Sequence, residues 1–467
     1  MIESLHEECG VFGVYNQENA AQNVFLGLYA LQHRGQEGAG IVSSDGETMY
    51  EHKGMGLVAR VFDEESLSRL SGKLAIGHNR YSTTGGSRLA NVQPLVVDCR
   101  AGKLALAHNG NIVNARELRR EMEANGSIFN TTLDSEVILH LIARSRENTL
   151  EEMIVDAVRQ LRGAFSLLIL TKDRLIGVRD PQSLRPLCMG RLDNSFVLAS
   201  ESCALDIIGA TYERELEPGE LVIIDDGGVR SRQAFESTKQ AKCIFEFVYF
   251  SRPDSVVFGE NVDKIRRKLG VILARNHPAQ ADIVIAVPDS SNTSGLGYAR
   301  ESGIPFELGL IRNHYVGRTF IQPSQSLRDG DVRMKFNTVD GVLKDQRVVV
   351  VDDSIVRGST MRKLVVMLKK AGAREVHLRI ASPPVQFPCF YGIDIPSRGE
   401  LIASANTVEE IQQFLGVESL EYLSHEDLRS AVDDPENYCY ACFDGVYPVP
   451  LAPDLDKSIF ERGVVGA

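Results

Sequence analysis

No apolar run in this 467-residue chain approaches the roughly 20 residues that cross a bilayer, so no membrane-spanning helix is expected. Basic residues are scarce beside acidic ones. The 51 Lys and Arg against 63 Asp and Glu leave a net charge of -12 and a pI near 5.4. A general nucleic-acid binder would carry a basic footprint, so any phosphate site here has to be local. Met1 to Glu8 is acidic and lacks an apolar centre, which excludes a secretory signal from the reading. A cytoplasmic location with reduced thiols follows as the expectation. Internal repeats and low-complexity segments are also lacking. Eight cysteines in such a protein read as nucleophiles, metal ligands or buried apolar residues rather than disulfides. Cys99, Cys188 and Cys203 stand in apolar sequence and are assigned to packing.

The length exceeds what one hydrophobic core usually supports, so two domains are expected, and a hydrophobic fraction of 43% is ordinary for a globular protein. Short strand-like runs at Lys73–Gly77, Lys103–Ala107, Ala164–Thr171 and Glu220–Asp225 dominate the first half. Helical spacing appears at Leu118–Glu123, Asp134–Ser145 and Leu150–Leu161, which suggests antiparallel sheets with helices packed on them. From about residue 262 the order becomes helix (Val262–Asn276), strand (Asp282–Val287), helix, strand (Phe306–Ile311). Such alternation predicts a parallel sheet. The boundary falls near residues 232–245, after a polar stretch.

The four valines Val348 to Val351 predict a strand buried on both faces. Asp352 and Asp353 then stand where the strand leaves the sheet, the place where open α/β sheets bind ligands. Small and hydroxylic residues through Thr360 lead into helical spacing, and amides at a helix start favour phosphate. Adjacent carboxylates beside a phosphate cradle suit a phosphorylated sugar, since they accept hydroxyl hydrogen bonds and help hold Mg²⁺. The run resembles the phosphoribosylpyrophosphate (PRPP) binding motif of type I phosphoribosyltransferases. That resemblance implies that Asp352 and Asp353 hold the ribose hydroxyls and magnesium, while Ser354, Arg357, Gly358, Ser359 and Thr360 wrap the 5-phosphate. A second strand-ending loop, Val287 to Gly295, would take the pyrophosphate, with Ser290 as a magnesium contact by family position. Between the two loops, residues 312–335 are polar and rich in Arg and Gly, and read as a lid over a polyanion. Arg318 and Lys335 are its candidate charge contacts.

Cys9 opens a period-2 strand, Gly-Val-Phe-Gly-Val-Tyr. Leu31–Gly40 (with Arg34), Gly77–Thr83 (with Arg80), His108–Asn111 and Leu133–Glu136 follow in order. Together these resemble the class II glutamine amidotransferases, which are N-terminal nucleophile hydrolases, across about residues 9–230. Amide hydrolysis needs a nucleophile, a base and donors for an oxyanion. If Glu8–Cys9 is cleaved, the new α-amine, with a reference pKa near 8, can serve as base to the thiol, so residues 1–8 read as a propeptide. The resemblance implies an oxyanion hole from the Asn109 side chain and the Gly110 amide. It also assigns Arg80 to the glutamine α-carboxylate, Asp134 to its α-amine, and Arg34 to the same site as a brace around the nucleophile.

Cys243, Cys389 and the Cys439-Tyr-Ala-Cys442 pair remain. The C-x-x-C spacing suits a metal site, and two further cysteines complete a four-thiolate set; spacing alone leaves zinc and iron-sulfur open. The whole pattern resembles the amidophosphoribosyltransferases, in the branch that carries a propeptide and a [4Fe-4S] cluster. The implied fold is an α+β N-terminal nucleophile hydrolase domain with αββα layers (residues 9–235). An α/β type I phosphoribosyltransferase domain with a mainly parallel sheet follows (residues 236–467), ending in a cluster-binding segment. The implied reaction takes glutamine and PRPP to 5-phosphoribosylamine, pyrophosphate and glutamate, with ammonia passed between two sites. Mg²⁺ and a [4Fe-4S] cluster are the implied cofactors. Glutamine, PRPP, inhibitory purine nucleotides and further copies of the chain, as a homotetramer or homodimer, are the implied partners, with no nucleic acid and no membrane. Other class II amidotransferases, making glucosamine 6-phosphate or asparagine, would lack the Val348–Thr360 run. A PRPP-sensing regulator would have no use for Cys9.

Overall fold

The structure, a computed structural model, describes residues 9–81, 86–236, 238–314, 335–395 and 397–451. The first half is built from two antiparallel sheets. In the first, Gly10–Tyr15 lies between Ser195–Ala199 and Leu74–Arg80, and Gly38–Ser44 and Met49–Met55 extend the sheet beyond Leu74–Arg80. In the second, Gly102–Ile112 pairs with Gly163–Leu170, which pairs in turn with Leu175–Arg179. The two sheets face each other through a dry layer that includes Val11, Ile76, Ala105, Leu168 and Leu175. Period-2 alternation then sends Phe12 and Val14 to the outer face, where helix Ala20–Ala30 covers them with Ala20, Val24 and Leu28. On the far side, Leu104, Leu106 and Ile169 pack under helices Ala115–Ala124, Glu136–Arg144 and Leu150–Arg159. Helix, sheet, sheet, helix is the expected layering.

The second half carries a four-stranded, wholly parallel sheet in the order Ile283–Ala286, Arg347–Asp352, Glu375–Ile380, Ser419–Tyr422. Val348 and Val350 face one side and Val349 and Val351 the other, and all four are fully buried. Helices Val262–Asn276 and Asn292–Ser302 cover one face; Ser359–Lys370 and Val408–Leu415 cover the other.

One predicted strand is corrected. Phe306–Ile311 is not continuous: Phe306 makes a single bridge to Val284, and the chain then leaves the sheet. Leu310–Arg312 pairs instead with Phe336–Thr338 in a separate antiparallel ribbon. Gly309 marks the break, packed so closely that a Cβ there would stand 2.8 Å from the Ile285 side chain and 2.9 Å from that of Leu343. Cys99 is half-buried and packs against the core, and Cys188 and Cys203 lie within it, as expected. No helix among the described residues is long and apolar enough to cross a membrane.

The apolar core does not stop at the expected junction. Val113, Ala164 and Leu184 of the first half share one cluster with Cys243, Phe245, Tyr391 and Phe443.

Candidate functional site

Cys9 lies immediately before the central strand of the first sheet, buried, with its thiol donating to the Tyr81 carbonyl at 3.5 Å. Burial pushes that thiol up to about 11, opposed by the Tyr81 contact and by the nearby Arg80 charge, while Asp134 and Glu37 add to the rise. A thiol in this setting is protonated at neutral pH and needs a base to become a nucleophile. Asn109 and Gly110 come from the facing sheet, on the strand Gly102–Ile112. The Asn109 side chain donates from Nδ2 to Ser200 Oγ at 3.4 Å, and its buried Oδ1 has no hydrogen-bond partner among the described residues. Gly110 has φ +141, and a Cβ there would stand 2.1 Å from the Ala164 carbonyl oxygen, so only glycine fits.

Arg80 ends the strand beside Cys9, almost fully buried, with Nη2 donating to the Gly86 carbonyl. Asp134 accepts the Ile112 amide at 2.8 Å and a hydrogen bond from Ser135 Oγ at 3.3 Å. Cys9, Arg80, Asn109, Gly110 and Asp134 therefore converge at one end of the sandwich. Arg34 acts differently from a glutamine contact. It is fully buried, its Nε donates to the Cys9 carbonyl at 3.2 Å, and its fork is held by Glu201 and Glu246.

The sequence reading missed Ser200, Glu201, Arg185 and Glu246. Ser200 Oγ accepts the Val11 amide at 3.0 Å while holding Asn109. Burial drives the Glu201 carboxyl upward, but His33 and Arg34 outweigh burial and hold it well below the usual carboxylate range. These partners lie so far away in the chain that no local pattern signals them.

At the end of the parallel sheet the two predicted loops meet. Ser290 Oγ donates to Asp353 at 2.5 Å and Ser291 Oγ to Asp352 at 2.9 Å. Ser354 Oγ donates to Asp353 at 2.6 Å. Burial raises both carboxyls; the Asp353 charge adds to the rise at Asp352, while serine hydrogen bonds oppose it at both. Gly358, with φ +81, turns the chain into helix Ser359–Lys370, so Ser359 and Thr360 form its first turn. Arg357 is paired with Glu400 at 2.7 Å. Lys335 stands at the foot of the ribbon strand Phe336–Thr338, its carbonyl accepting the Asn313 amide. Arg318 and residues 1–8 lie outside the described residues.

The four remaining cysteines are drawn into one core cluster. Cys243 and Cys439 are register partners in a short parallel pair, and the Cys389 sulfur accepts the Tyr391 amide at 3.4 Å. Burial raises the Cys442 thiol well above its ordinary value, and Cys243, Cys439 and Cys389 each add to the rise. Burial also pushes Cys439 up to about 12. Among the described residues no three His, Cys, Asp or Glu side chains are grouped closely enough to hold a metal ion. The donor chemistry nonetheless fits a sulfur-ligated centre: four thiols share one cluster, and one of them has an amide on its sulfur. The carboxylate pair with its serine fits an ion such as Mg²⁺, which takes one or two carboxylates and completes its shell with water and substrate oxygens.

Residues 78–206 match the family described as glutamine amidotransferase domain. Over 449 residues the chain is 54% identical to the chloroplastic amidophosphoribosyltransferase of Vigna aconitifolia, covering 96% of this chain and 92% of that one. A solved structure described as the allosteric regulatory enzyme of purine biosynthesis superimposes with a TM-score of 0.92 at 51% identity, covering 96% of this chain and 97% of its own. Glutamine PRPP amidotransferase from B. subtilis, complexed with ADP and GMP, gives a TM-score of 0.91 at 50% identity and covers 96% and 98% of the two chains.

Proposed function

This chain belongs to the amidophosphoribosyltransferase family, and on that premise we propose how its residues divide the work. The activity is the glutamine-dependent amination that begins purine biosynthesis. The observation that carries the assignment of residues is the presence, in one chain, of a buried cysteine at the start of one sheet with an Asn-Gly pair on the sheet packed against it, and of an Asp-Asp pair, Asp353 buried and Asp352 half-buried, at a parallel strand end.

In the glutaminase half, Cys9 Sγ attacks the glutamine side-chain carbonyl carbon and passes its proton to the α-amine freed by loss of residues 1–8. The oxyanion lies against Asn109 Nδ2 and the Gly110 amide. Arg80 and Asp134 hold the substrate's α-carboxylate and α-amine, and Arg34 braces the Cys9 carbonyl. Collapse of the tetrahedral intermediate expels ammonia, which takes up the amine's proton as it leaves, and water then releases glutamate from the thioester. In the second half, Asp352 and Asp353 bind the ribose hydroxyls of PRPP, and Ser354, Arg357, Gly358, Ser359 and Thr360 wrap its 5-phosphate. Arg318 and Lys335 meet the pyrophosphate from the lid. Ammonia displaces pyrophosphate at C1, giving 5-phosphoribosylamine.

Mg²⁺, held by Asp352, Asp353 and Ser290, would neutralise the departing pyrophosphate. Cys243, Cys389, Cys439 and Cys442 would hold a structural [4Fe-4S] cluster. Inhibition by purine nucleotides is supported by the relative complexed with ADP and GMP. A homotetramer or homodimer in the cytoplasm completes the reading, with domains at 9–235 and 236–467.

Glutamate and pyrophosphate followed in one tube test the assignment. Stoichiometric release of both, strongly dependent on PRPP and Mg²⁺, is expected. Glutamine hydrolysis indifferent to PRPP would remove Asp352 and Asp353 from their assigned role.

A further inference from the structure

Nucleophile and oxyanion donors sit on different sheets, so their separation is set by how the two sheets are held at one end of the sandwich. Displacing reacting groups by about 1 Å can cost about 10²-fold in rate. Apolar packing alone is a weak guarantee of such a distance, and a polar brace spans the gap.

Glu246 is fully buried and opens a single π turn, Glu246–Phe250, closed by the Ser251 amide on the Glu246 carbonyl at 3.0 Å. Such turns aim side chains that a regular helix would not. Its carboxylate receives Arg34 Nη2 at 2.7 Å and Nη1 at 3.0 Å, Ser251 Oγ at 2.6 Å and Arg185 Nη1 at 3.4 Å. From there two arms run to the active site. On one side, Arg34 donates to the Cys9 carbonyl. On the other, Arg185 donates from Nε and Nη2 to the Tyr391 carbonyl at 2.9 and 2.7 Å. The next residue, Gly392, lies so close to the oxyanion strand that a Cβ there would stand 3.2 Å from Gly110 Cα, and Asn111 Nδ2 fastens the same loop through the Phe390 carbonyl at 2.8 Å. Two guanidiniums and two carboxylates, with Glu201 the fourth member, balance their charges away from water, so removing one leaves a buried charge uncompensated.

We infer that Glu246 is a positioning residue for glutamine hydrolysis: its carboxylate clamps Arg34 and Arg185 together and so fixes Cys9 against Gly110. The inference rests on the glutaminase reading above.

The test compares the processed full-length protein with its Glu246→Gln variant for glutamine hydrolysis and for amination of PRPP by free ammonia. Glutamine kcat should fall 10- to 100-fold with KM within about threefold, while ammonia-dependent amination stays at the parental rate. Arg185→Lys keeps the charge but loses the fork, and should fall in the same direction; it carries the test if Glu246→Gln does not fold. Unchanged glutamine kcat in either folded variant would overturn the inference. So would equal loss of both activities in step with a lower melting temperature, which marks a merely structural role. A parent that fails to hydrolyse glutamine would instead bring down the glutaminase reading itself.

Discussion

A side-chain amide carries two N–H donors, and at Asn109 one of them points to Ser200 Oγ, which leaves the second available for the oxyanion proposed above. The buried Asn109 Oδ1 meets no partner among the described residues, unusual for a buried polar atom. The neighbouring Gly110 cannot be replaced without striking the Ala164 carbonyl. Asn109→Ala removes the side-chain donor and leaves the glycine turn intact. Glutamine-dependent kcat is then expected to drop by about 10²–10³-fold, the usual cost of one oxyanion donor. Steady-state kinetics with glutamine and with ammonia check this: an ammonia-dependent rate that falls equally would show that the donor is not aimed at the amide intermediate. Asn-Gly was readable in the sequence because its residue types state their chemistry. Ser200 was not, because a serine between Ala199 and Glu201 gives no sign of which distant amide it will meet.

Elements were legible in proportion to how local their causes are. Val348–Val351 could be read as a two-face-buried strand because uniform β-branching leaves few alternatives, and it forms the centre of the parallel sheet. Phe306–Ile311, interrupted by Glu307 and Gly309, ends as a strand at Phe306, since the position of Gly309 against Ile285 and Leu343 is decided by tertiary packing. The turn that presents Arg185 is a further case of hidden cause. Asp180 anchors it by accepting the Leu184 and Gln182 amides, and burial raises its carboxyl to about 6. A carboxyl raised on folding binds more protons folded than unfolded between the two values, so its contribution to stability falls as pH rises through that window. A rise of about two pKa units corresponds to on the order of 3 kcal/mol. The stability difference between the parent and Asp180→Asn, measured by denaturant unfolding, should shift by that order between pH about 4 and about 6, against the parent as pH rises. A pH-independent difference would show that Asp180 titrates normally.

At the scale of the whole molecule, the two halves are not beads on a string. One apolar cluster runs from Val113 and Ala164 across the junction to Phe443, and all four candidate cluster cysteines belong to it or pack against it. Cys243 leaves the first half, Cys389 sits two residues before the carbonyl that Arg185 holds, and Cys439 and Cys442 come from the last described segment. A centre bridging them would tie together stretches of chain whose ends are far apart in sequence, and such cross-links act largely by restricting the unfolded chain. Cys442 is buried and feels all three of the other thiols, so it is the one to remove. Anaerobically prepared Cys442→Ser is expected to hold less iron and acid-labile sulfide than the parent. Its folding stability should fall by roughly the 2–5 kcal/mol typical of losing a native cross-link. Metal and sulfide analysis of the parent decides the identity of the centre: zinc without iron or sulfide would replace the cluster by a single ion. A parent free of all three would leave four buried thiols held only by packing, and the serine variant would then lose no bound metal.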